Sequence, residues 1–522
     1  MKIKNLTYLL FVISNLLILF NPGIFWDDWN LYNIAKESIY SQYNNGGLGY
    51  FGYLQVFLQN FYNPPFLYHT LTFGLQLISI YFLFEIVKRL TFINHKFFEG
   101  NYLVLIYAVL PLNDAKITMI CFPYTLSLTL FILATFFLVK YKYEKNSAFR
   151  FLSLFLYFIS FSTVSLVFFY LIPFLFIIFL EEIQILIKNG TKNITELFNI
   201  VVKKIVKFLD FLFLPILFWI IKTSFFSPSN NYVGYNEIKL ESFVEIPYRL
   251  IRSIYSFFIT LYPLLKELFQ NLEFILLFII LSGFIFLRLG RLDLNFKSTK
   301  TKFLTGLLVC FIGIFPYLLV EKYPSFNGYN SRHQLLMGFG ISLLVVNLIF
   351  YISSKRIRNL TLALCIGLFV ILNMTIQFNY FKGFMKQVVL NNYLESQNLS
   401  RDFSQTILYK DNTSNFTHKG NPFTFYELSG ILKLSHPKEN IMLIQNRHFI
   451  SYNQSGLFKK LTPYFYSYNL SNYNLVNPGL ELEISYSKES LPSFPLFVYY
   501  GDYLSGNKEK WMKYFEFNLK VL

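Results

Sequence analysis

Long apolar runs separated by short polar stretches fill residues 1–380 of the chain. Many are about 20 residues long, which is the length of a helix that crosses a hydrocarbon core of about 30 Å. The pattern predicts an all-α polytopic membrane bundle of about 11 transmembrane helices, in which the shorter runs are kinked or tilted. The runs lie at about 6–25, 66–87, 102–113 with 117–139, 151–162 with 164–180, 208–226, 272–287, 303–320, 333–351 and 359–378.

The pattern changes from about Lys382, where Asn, Ser, Tyr and Lys become frequent and apolar positions alternate with polar ones. Alternation over about four to eight residues is typical of a half-buried strand. Residues 440–445 and 496–500 are therefore predicted to be short strands. We expect two domains, a transmembrane domain over 1–380 and a small extracytoplasmic α+β domain over 381–522.

The composition agrees with lipid as the solvent of this chain. Hydrophobic side chains make up 54% of the 522 residues and charged ones only 14%, with a mean hydropathy of +0.43. A soluble domain carries about 25% charged residues, so a soluble enzyme, a disordered chain and a nucleic-acid-binding protein are excluded. The three cysteines, Cys121, Cys310 and Cys365, lie inside apolar runs. We expect them to be core residues and not a disulfide or metal set.

The net charge of +17, from 46 Lys and Arg against 29 Asp and Glu, sets the expected orientation. Lys and Arg concentrate on the cytoplasmic loops of membrane proteins. With about 11 crossings, all five basic clusters and the N-terminus lie on the cytoplasmic side, provided that 250–270 stays outside as an interfacial or re-entrant helix. The clusters are at 88–96, 140–150, 188–207, 288–302 and 355–358.

This orientation places four segments and the C-terminal domain on the extracytoplasmic face. The segments are 26–65, 113–116, 227–250 and 321–332. The abundance of Asn, Lys, Ile, Phe and Tyr is typical of AT-rich coding and favours a bacterial source. The expected location is therefore the inner, cytoplasmic membrane.

Acidic residues on that face are the first candidates for chemistry. Trp26-Asp27-Asp28-Trp29 directly follows the first run, and Asp114 lies in the short turn between the third and fourth runs. Acidic groups at such a depth are costly and are functional candidates by default. The alternatives are a pair of solvated acids beside interfacial tryptophans and, for Asp114, a helix N-cap or turn former.

Cationic residues near the start of a later run are the second candidates. Arg332 and His333 follow one another there, and Lys322 lies at the other end of the same loop. A planar and permanently charged guanidinium is suited to binding a phosphate or diphosphate, and Lys322 would assist it. The alternative is that Arg332 extends to a lipid phosphate.

Other chemistry finds little support in the sequence. No Gly-x-x-x-x-Gly-Lys motif is present, which argues against ATP-driven work. No His or Cys set has the spacing of a metal site. The five histidines other than His333 are scattered and are given no role; they are His69, His95, His418, His436 and His448.

Three features resemble the GT-C superfamily of membrane glycosyltransferases, in particular the protein O-mannosyltransferase and aminoarabinose-transferase branch. The acidic pair Asp27-Asp28 directly follows a first span. The turn Leu110-Pro111-Leu112-Asn113-Asp114-Ala115 is similar to the Pro-x-x-x-acid-small pattern common in that branch. Ser331-Arg332-His333, leading into Gly338-Phe339-Gly340, resembles an Arg-initiated helix of its members. The resemblance covers about residues 1–380.

The resemblance implies an inverting transferase that takes a sugar from a polyprenyl-phosphate donor. The acceptor would be a cell-envelope glycan, such as lipopolysaccharide, or a lipid. Asp27 would be the catalytic base, and Asp28 would orient it or bind a metal. Asp114 would hold the acceptor or raise the pKa of the base through like-charge coupling.

The same resemblance assigns the cations and leaves the cofactor open. Arg332, with Lys322 and His333, would neutralise the leaving phosphate. Many GT-C members carry Asp-Glu or Asp-x-Asp at the acidic position, whereas this chain has Asp-Asp. A requirement for a divalent cation, Mg²⁺ or Mn²⁺, therefore stays open.

Two other functions compete with this interpretation. A polysaccharide polymerase or ligase relies on arginines in large outer loops, and here these loops carry few, chiefly Arg249, Arg252 and Arg332. A non-enzymatic transporter or flippase of lipid-linked glycans often has two related halves and charges in mid-span, neither of which we find. An enzyme requires Asp27, Asp114 and Arg332 to meet at one cavity, since separations beyond about 15 Å exceed hydrogen-bonded catalysis.

Overall fold

The computed structural model describes most of the chain. Three lysines of the basic clusters and two histidines lie outside the described residues, namely Lys96, Lys192, Lys297, His95 and His418, as does residue 440. The positions not described are 1, 94–100, 190–193, 230–231, 235–236, 239, 292–299, 323, 327, 398, 400–405, 418–421, 438–440, 456–477 and 488–490.

Helices form wherever the sequence has a long apolar run. In lipid every backbone N–H and C=O must be satisfied within its own segment, which a helix achieves. The helices are α1 Ile3–Asn15, α2 Lys36–Asn45, α3 Gly49–Gln59, α4 Pro64–Ile93, α5 Asn101–Val109, α6 Phe122–Glu144, α7 Ser147–Ser160, α8 Ser165–Asn189, α9 Ile194–Lys207, α10 Leu209–Phe225, α11 Leu240–Gln270, α12 Leu272–Leu289, α13 Lys300–Leu319, α14 Met337–Phe350, α15 Lys355–Ser396, α16 Phe425–Ser435, α17 Asn446–Ser455 and α18 Pro495–Leu504.

Six helical segments of the described chain are long and apolar enough to cross a membrane. A seventh is added if Gly328–Gln334 and Met337–Phe350, which are bent by 74°, form one broken span. The protein is therefore a helical membrane bundle, and the expected count of about 11 crossings is not confirmed. The difference arises because several predicted runs form shorter apolar helical segments, such as helix Ser147–Ser160 and the Ser165–Phe179 part of helix α8. The six are Ile3–Phe20, Pro64–Leu90, Met119–Glu144, Leu272–Leu289, Lys300–Leu319 and Lys355–Ser396.

Residues 250–270, expected to be an interfacial or re-entrant helix, belong to the 31-residue helix α11. This helix packs against α12, α13 and α15. Arg249 is buried on its inner side and forms ion pairs with Glu245 at 2.5 Å and with Glu321 at 3.6 Å. Whether α11 crosses the membrane stays a matter of prediction.

Helix α15 connects the bundle to the C-terminal region without a break. It is 42 residues long. From this helix, the side-chain amide of Asn373 donates to the carbonyl of Val109 at 2.7 Å, and that of Gln377 donates to the carbonyl of Ser14 at 2.6 Å. Residue 380, where we expect the domain boundary, lies inside this helix.

Among the residues described after α15, four strands form one sheet in the order β2-β1-β3-β4. The strands are β1 Thr406–Asp411, β2 Met442–Gln445, β3 Leu480–Tyr486 and β4 Phe515–Val521. β1 pairs in parallel with β2 and β3, and β4 pairs antiparallel with β3.

The two predicted strands of this region have different outcomes. The prediction at 440–445 is confirmed by β2, whereas the prediction at 496–500 is wrong because these residues lie in helix α18. A short apolar run does not distinguish a strand from a buried helix. Pro495 at the first helical position, where its missing N–H costs nothing, favours the helix.

Candidate functional site

The acidic pair lies in a short 3₁₀ helix, Trp26–Asn30, which we call the acidic segment. Trp26 adopts a left-handed backbone conformation with φ +49°, which is strained for a bulky side chain and costs about 1–3 kcal/mol. Asp27 is partly accessible, whereas Asp28 is fully buried. The two neighbouring carboxylates therefore have different environments.

Asp28 ties the acidic segment to the turn segment, which we define as residues 113–121. Its Oδ1 accepts from the N–H of Ile120 at 2.8 Å, and its Oδ2 accepts from the N–H of Phe25 at 3.3 Å. Burial raises the pKa of Asp28 to about 8, and the charge of Asp27 adds to the rise. Asp28 is thus placed to hold the backbone around Asp27.

The donor set does not fit a divalent cation at Asp28. The side chain is fully buried and each of its oxygens accepts a backbone N–H group, which leaves few lone pairs and no room for the octahedral oxygen ligands that Mg²⁺ and Mn²⁺ prefer. Within the described part of the chain, no group of three or more His, Cys, Asp or Glu side chains could hold a metal ion.

The turn segment holds Asp114 in a buried position beside the loop that carries Arg332. Asn113 has φ +54°, a left-handed conformation that asparagine tolerates, and it starts the tight turn at Asp114. The N–H of Ala115 donates to Ser331 Oγ at 2.9 Å. Asp114 also lines a small cavity of about 30 Å³ between this turn and helices α11 and α15.

Arg332 lies in a 3₁₀ helix, Gly328–Gln334, which we call the arginine segment. Its guanidinium carbon is 3.6 Å from the centre of the Tyr329 ring, and Nη1 donates to the Tyr329 carbonyl at 2.8 Å. Only 7% of Arg332 is exposed, which argues against an extended side chain that reaches a lipid headgroup.

The other two predicted phosphate ligands differ in their surroundings. Burial and, after it, the positive charge of Arg332 together lower the pKa of Lys322 to about 8. Lys322 and Arg332 are therefore close enough to repel each other, which is the arrangement that an anion relieves. His333 is buried and its ring lies 4.7 Å from that of Tyr317, centre to centre.

Two tyrosines bring the predicted segments together. The Trp26 ring lies 5.8 Å from the Tyr329 ring and 5.6 Å from the Tyr380 ring. The Tyr329 hydroxyl lies close enough to both Arg332 and Asp27 to interact electrostatically with their charges. The Tyr380 hydroxyl, which is fully buried, interacts electrostatically with the carboxyl groups of Asp114 and Asp28. The acidic, turn and arginine segments thus form one cluster.

The C-terminal region contributes to this cluster a residue that the sequence analysis missed. Glu427 is buried near the start of α16 and accepts through Oε2 from the N–H and hydroxyl of Thr424, at 2.8 and 2.9 Å. Its Oε1 accepts from the N–H of Trp26 at 2.9 Å. Thr424-x-x-Glu427 is a recognisable capping box, but nothing local in the sequence indicates the contact with Trp26.

Gly430 completes the contact between α16 and the acidic segment. A Cβ at this position would lie 2.4 Å from Cε3 of Trp29, so only glycine lets the indole approach the helix this closely. Trp29 is itself 5% exposed. The acidic segment is therefore held on two sides, by the turn segment and by α16.

The cluster combines groups suited to group transfer. Asp27 offers a partly accessible carboxylate, Arg332 and Lys322 offer positive charge, and Trp26, Tyr329 and Tyr380 form an aromatic wall. Comparisons of the chain with protein-family models, with curated proteins and with solved structures found no match.

Proposed function

We propose that the protein is an inverting glycosyltransferase of GT-C type. It transfers a sugar from a polyprenyl-phosphate donor to a cell-envelope glycan or lipid acceptor. The observation that carries this proposal is the packing of the acidic segment against the arginine segment through the rings of Trp26 and Tyr329, at 5.8 Å. This contact supports a site in which the Asp27 carboxylate and the Arg332 guanidinium act on one substrate, as displacement of a phosphate requires.

The proposed reaction is a single displacement at the anomeric carbon. The acceptor hydroxyl oxygen forms a bond to this carbon while the bond to the phosphate oxygen breaks, and the phosphate leaves with the electron pair. Asp27 takes the proton of the hydroxyl. Arg332, assisted by Lys322 and His333, stabilises the negative charge that develops on the leaving phosphate.

The remaining acidic groups act on position and charge. Asp28 holds the backbone before Asp27 and joins it to the turn segment, through the N–H groups of Phe25 and Ile120 respectively. Asp114 lines the small cavity next to the arginine segment and orients the acceptor there.

The proposed setting is the outer face of the inner membrane. Positive residues at 88–96, 140–150, 188–207, 288–302 and 355–358 mark the cytoplasmic side. The N-terminus is then cytoplasmic and the C-terminal domain extracytoplasmic, as an odd number of crossings, about 11, requires. A lipid-linked donor suits this face, because nucleotide-activated sugars are absent there.

The proposal is tested by sugar transfer in isolated membranes. Membranes that contain the protein are supplied with a polyprenyl-phosphate donor carrying a radiolabelled sugar, and label is counted in the envelope glycan and lipid fractions. We expect D27N and R332Q to lower transfer at least a hundredfold, since a positioned base contributes about 10²–10⁴. The control is E37Q, because Glu37 is an exposed acidic residue that, like Asp27, follows the first span. Full transfer by D27N would refute the assignment of Asp27.

A further inference from the structure

A second and larger cavity lies inside the bundle next to the turn segment. Its volume is about 90 Å³, and helices α1, α4, α5 and α6 contribute to its lining. Its polar lining includes Lys116 and Asn113 from the turn segment and Gln334 from the arginine segment. A buried water needs about 10–15 Å³, so this space admits a small polar group.

Two buried polar atoms of this lining have no hydrogen-bond partner among the described residues. Gln334 is 1% exposed, and its Oε1 accepts from the backbone N–H of Asn113 at 3.4 Å. This bond fixes the orientation of the amide, so the Nε2 donor of Gln334 is the orphaned group. The Oδ1 acceptor of Asn113 is orphaned as well. Buried polar groups are normally bonded, so a donor and an acceptor here point to a ligand.

Lys116 supplies the charge of the cavity. Its ammonium donates to Asn15 Oδ1 at 2.8 Å, which uses one of its three protons. Burial lowers the pKa of Lys116 to about 8 while Asp114 opposes the shift, so the amine is mostly charged at neutral pH. A cation with protons to spare, beside an orphaned amide donor, is suited to anionic oxygens.

We propose that this cavity binds a phosphate group, with Lys116 and Gln334 donating to its oxygens. Asn113 Oδ1 accepts a hydrogen bond from the hydroxyl of a monohydrogen or dihydrogen phosphate. Phosphate carries both anionic oxygens and a hydroxyl at neutral pH, which matches the two orphaned atoms, whereas sulfate carries no hydroxyl. The phosphate is either a free ion or the phosphomonoester headgroup of a lipid, since a phosphodiester carries no hydroxyl at neutral pH. This site does not depend on the proposed transferase activity.

Binding to the purified full-length protein tests this site. Inorganic phosphate is titrated by calorimetry at pH 7 into protein held in phosphatidylcholine nanodiscs, with sodium sulfate as the matched anion. In a second arm, the thermal unfolding temperature is compared between nanodiscs with and without phosphatidic acid. We expect saturable phosphate binding, at least tenfold weaker for sulfate. A response to phosphate assigns the free ion, and a response confined to phosphatidic acid assigns the headgroup.

Variants locate the bound phosphate. K116M removes the charge, and Q334E keeps the shape of Gln334 but replaces its donor by a carboxylate oxygen; both should weaken binding at least tenfold. K36M, which removes an exposed lysine outside the cavity, should leave it unchanged, whereas R332Q reports any phosphate that is bound at the site proposed for transfer. Binding that survives K116M and Q334E, binding lost in R332Q alone, or no response to either probe would each overturn the proposal. In the last case the cavity holds water only.

Discussion

The backbone N–H of Trp26 donates to Glu427 Oε1 at 2.9 Å, across 401 residues of chain. This bond joins the C-terminal region to the residue before Asp27, at a point where the backbone is strained with φ +49°. A strained conformation persists only when its surroundings over-determine it. Glu427 is therefore part of what holds the acidic segment in place.

Replacing Glu427 by Gln should loosen the acidic segment. The amide keeps one oxygen and faces donors on both sides, so it loses the bond to Trp26 or those to Thr424. Hydrogen bonds to charged groups are worth about 1.5–3 kcal/mol, and we expect a loss of stability of this order. Sugar transfer should fall at least tenfold. Thermal unfolding and the transfer assay measure both effects, with the exposed Glu509→Gln as control. Unchanged transfer in E427Q would show that Trp26 needs no support from α16.

Replacing Gly430 by Ala should displace α16 from the acidic segment. The added Cβ would lie 2.4 Å from Trp29, and overpacking of this kind costs about 1–3 kcal/mol. The matched control is Gly501→Ala in helix α18, where the added Cβ meets nothing within 4 Å. Alanine there should stabilise the helix slightly. Equal unfolding temperatures for G430A and the wild type would contradict the packing described here.

Stability should depend on pH through Asp28. Its pKa in the folded protein, about 8, lies above its ordinary value of 3.8. The folded state therefore binds this proton more tightly than the unfolded chain, and the contribution of Asp28 to stability is lost as the pH rises from about 4 to about 8. The depressed pKa values of Lys116 and Lys322 act in the opposite direction and at higher pH, because the pKa of each is about 8 in the folded state and 10.5 in the unfolded chain.

The contribution of Asp28 is isolated by comparing the wild type with D28N. The difference in unfolding temperature between the two proteins should shift in favour of D28N as the pH rises from about 6 to about 9, since the variant has no carboxyl to ionise there. A difference that stays constant over this range would mean that Asp28 does not titrate as described.

Breaking the buried ion pair of Lys386 and Asp411 should be severe. Lys386 is fully buried in α15, and its ammonium lies 2.5 Å from Asp411 Oδ2 at the end of β1. Removing one partner of such a pair costs about 3–5 kcal/mol, because the other charge stays buried. We expect K386M to unfold at a much lower temperature than the wild type.

A second substitution should recover much of this loss. Asp411→Asn in the K386M background removes the uncompensated charge, while its Oδ1 still accepts from Thr413. The pair of the exposed Lys410 with the half-buried Glu483 provides the control, and K410M should change the unfolding temperature little. A double variant as unstable as K386M alone would mean that the charge is not the cause.

The helical bundle and its candidate residues are predictable from the sequence because lipid imposes a local rule. An apolar run in lipid must form a helix to satisfy the hydrogen bonds of its own backbone. Acidic residues next to such runs, such as Asp27 and Asp114, are rare and are therefore easily recognised as candidates. The count of crossings is less accessible, since a run such as 151–162 is too short to fix whether its helix spans. The number of about 11 stays a prediction.

The support of the site is not predictable in this way. The acidic segment is contacted by residues hundreds of positions away in the chain, namely Glu427, Gly430 and Tyr380. The sequence around each of them is already explained by helix capping, by helix packing or by an apolar span, so it does not indicate these contacts. The strand predicted at 496–500 fails for a related reason, because the helix α18 that forms there is fixed partly by a distant residue. The carboxylate of Glu273 accepts from the N–H of Leu496 at 2.7 Å.

Because helix α15 is unbroken, the site depends on the number of residues in this helix as well as on the chemistry of its side chains. Each residue of an α-helix turns the chain by about 100° and advances it by about 1.5 Å. Gln387 of α15 bonds to the backbone of Ile24, just before the acidic segment, and the strands and α16 follow further along. One residue inserted between Ile376 and Lys386 would therefore rotate Gln387, and the region that follows it, by about 100° around the axis of α15. Each half would keep its own packing, while Glu427 would point away from Trp26.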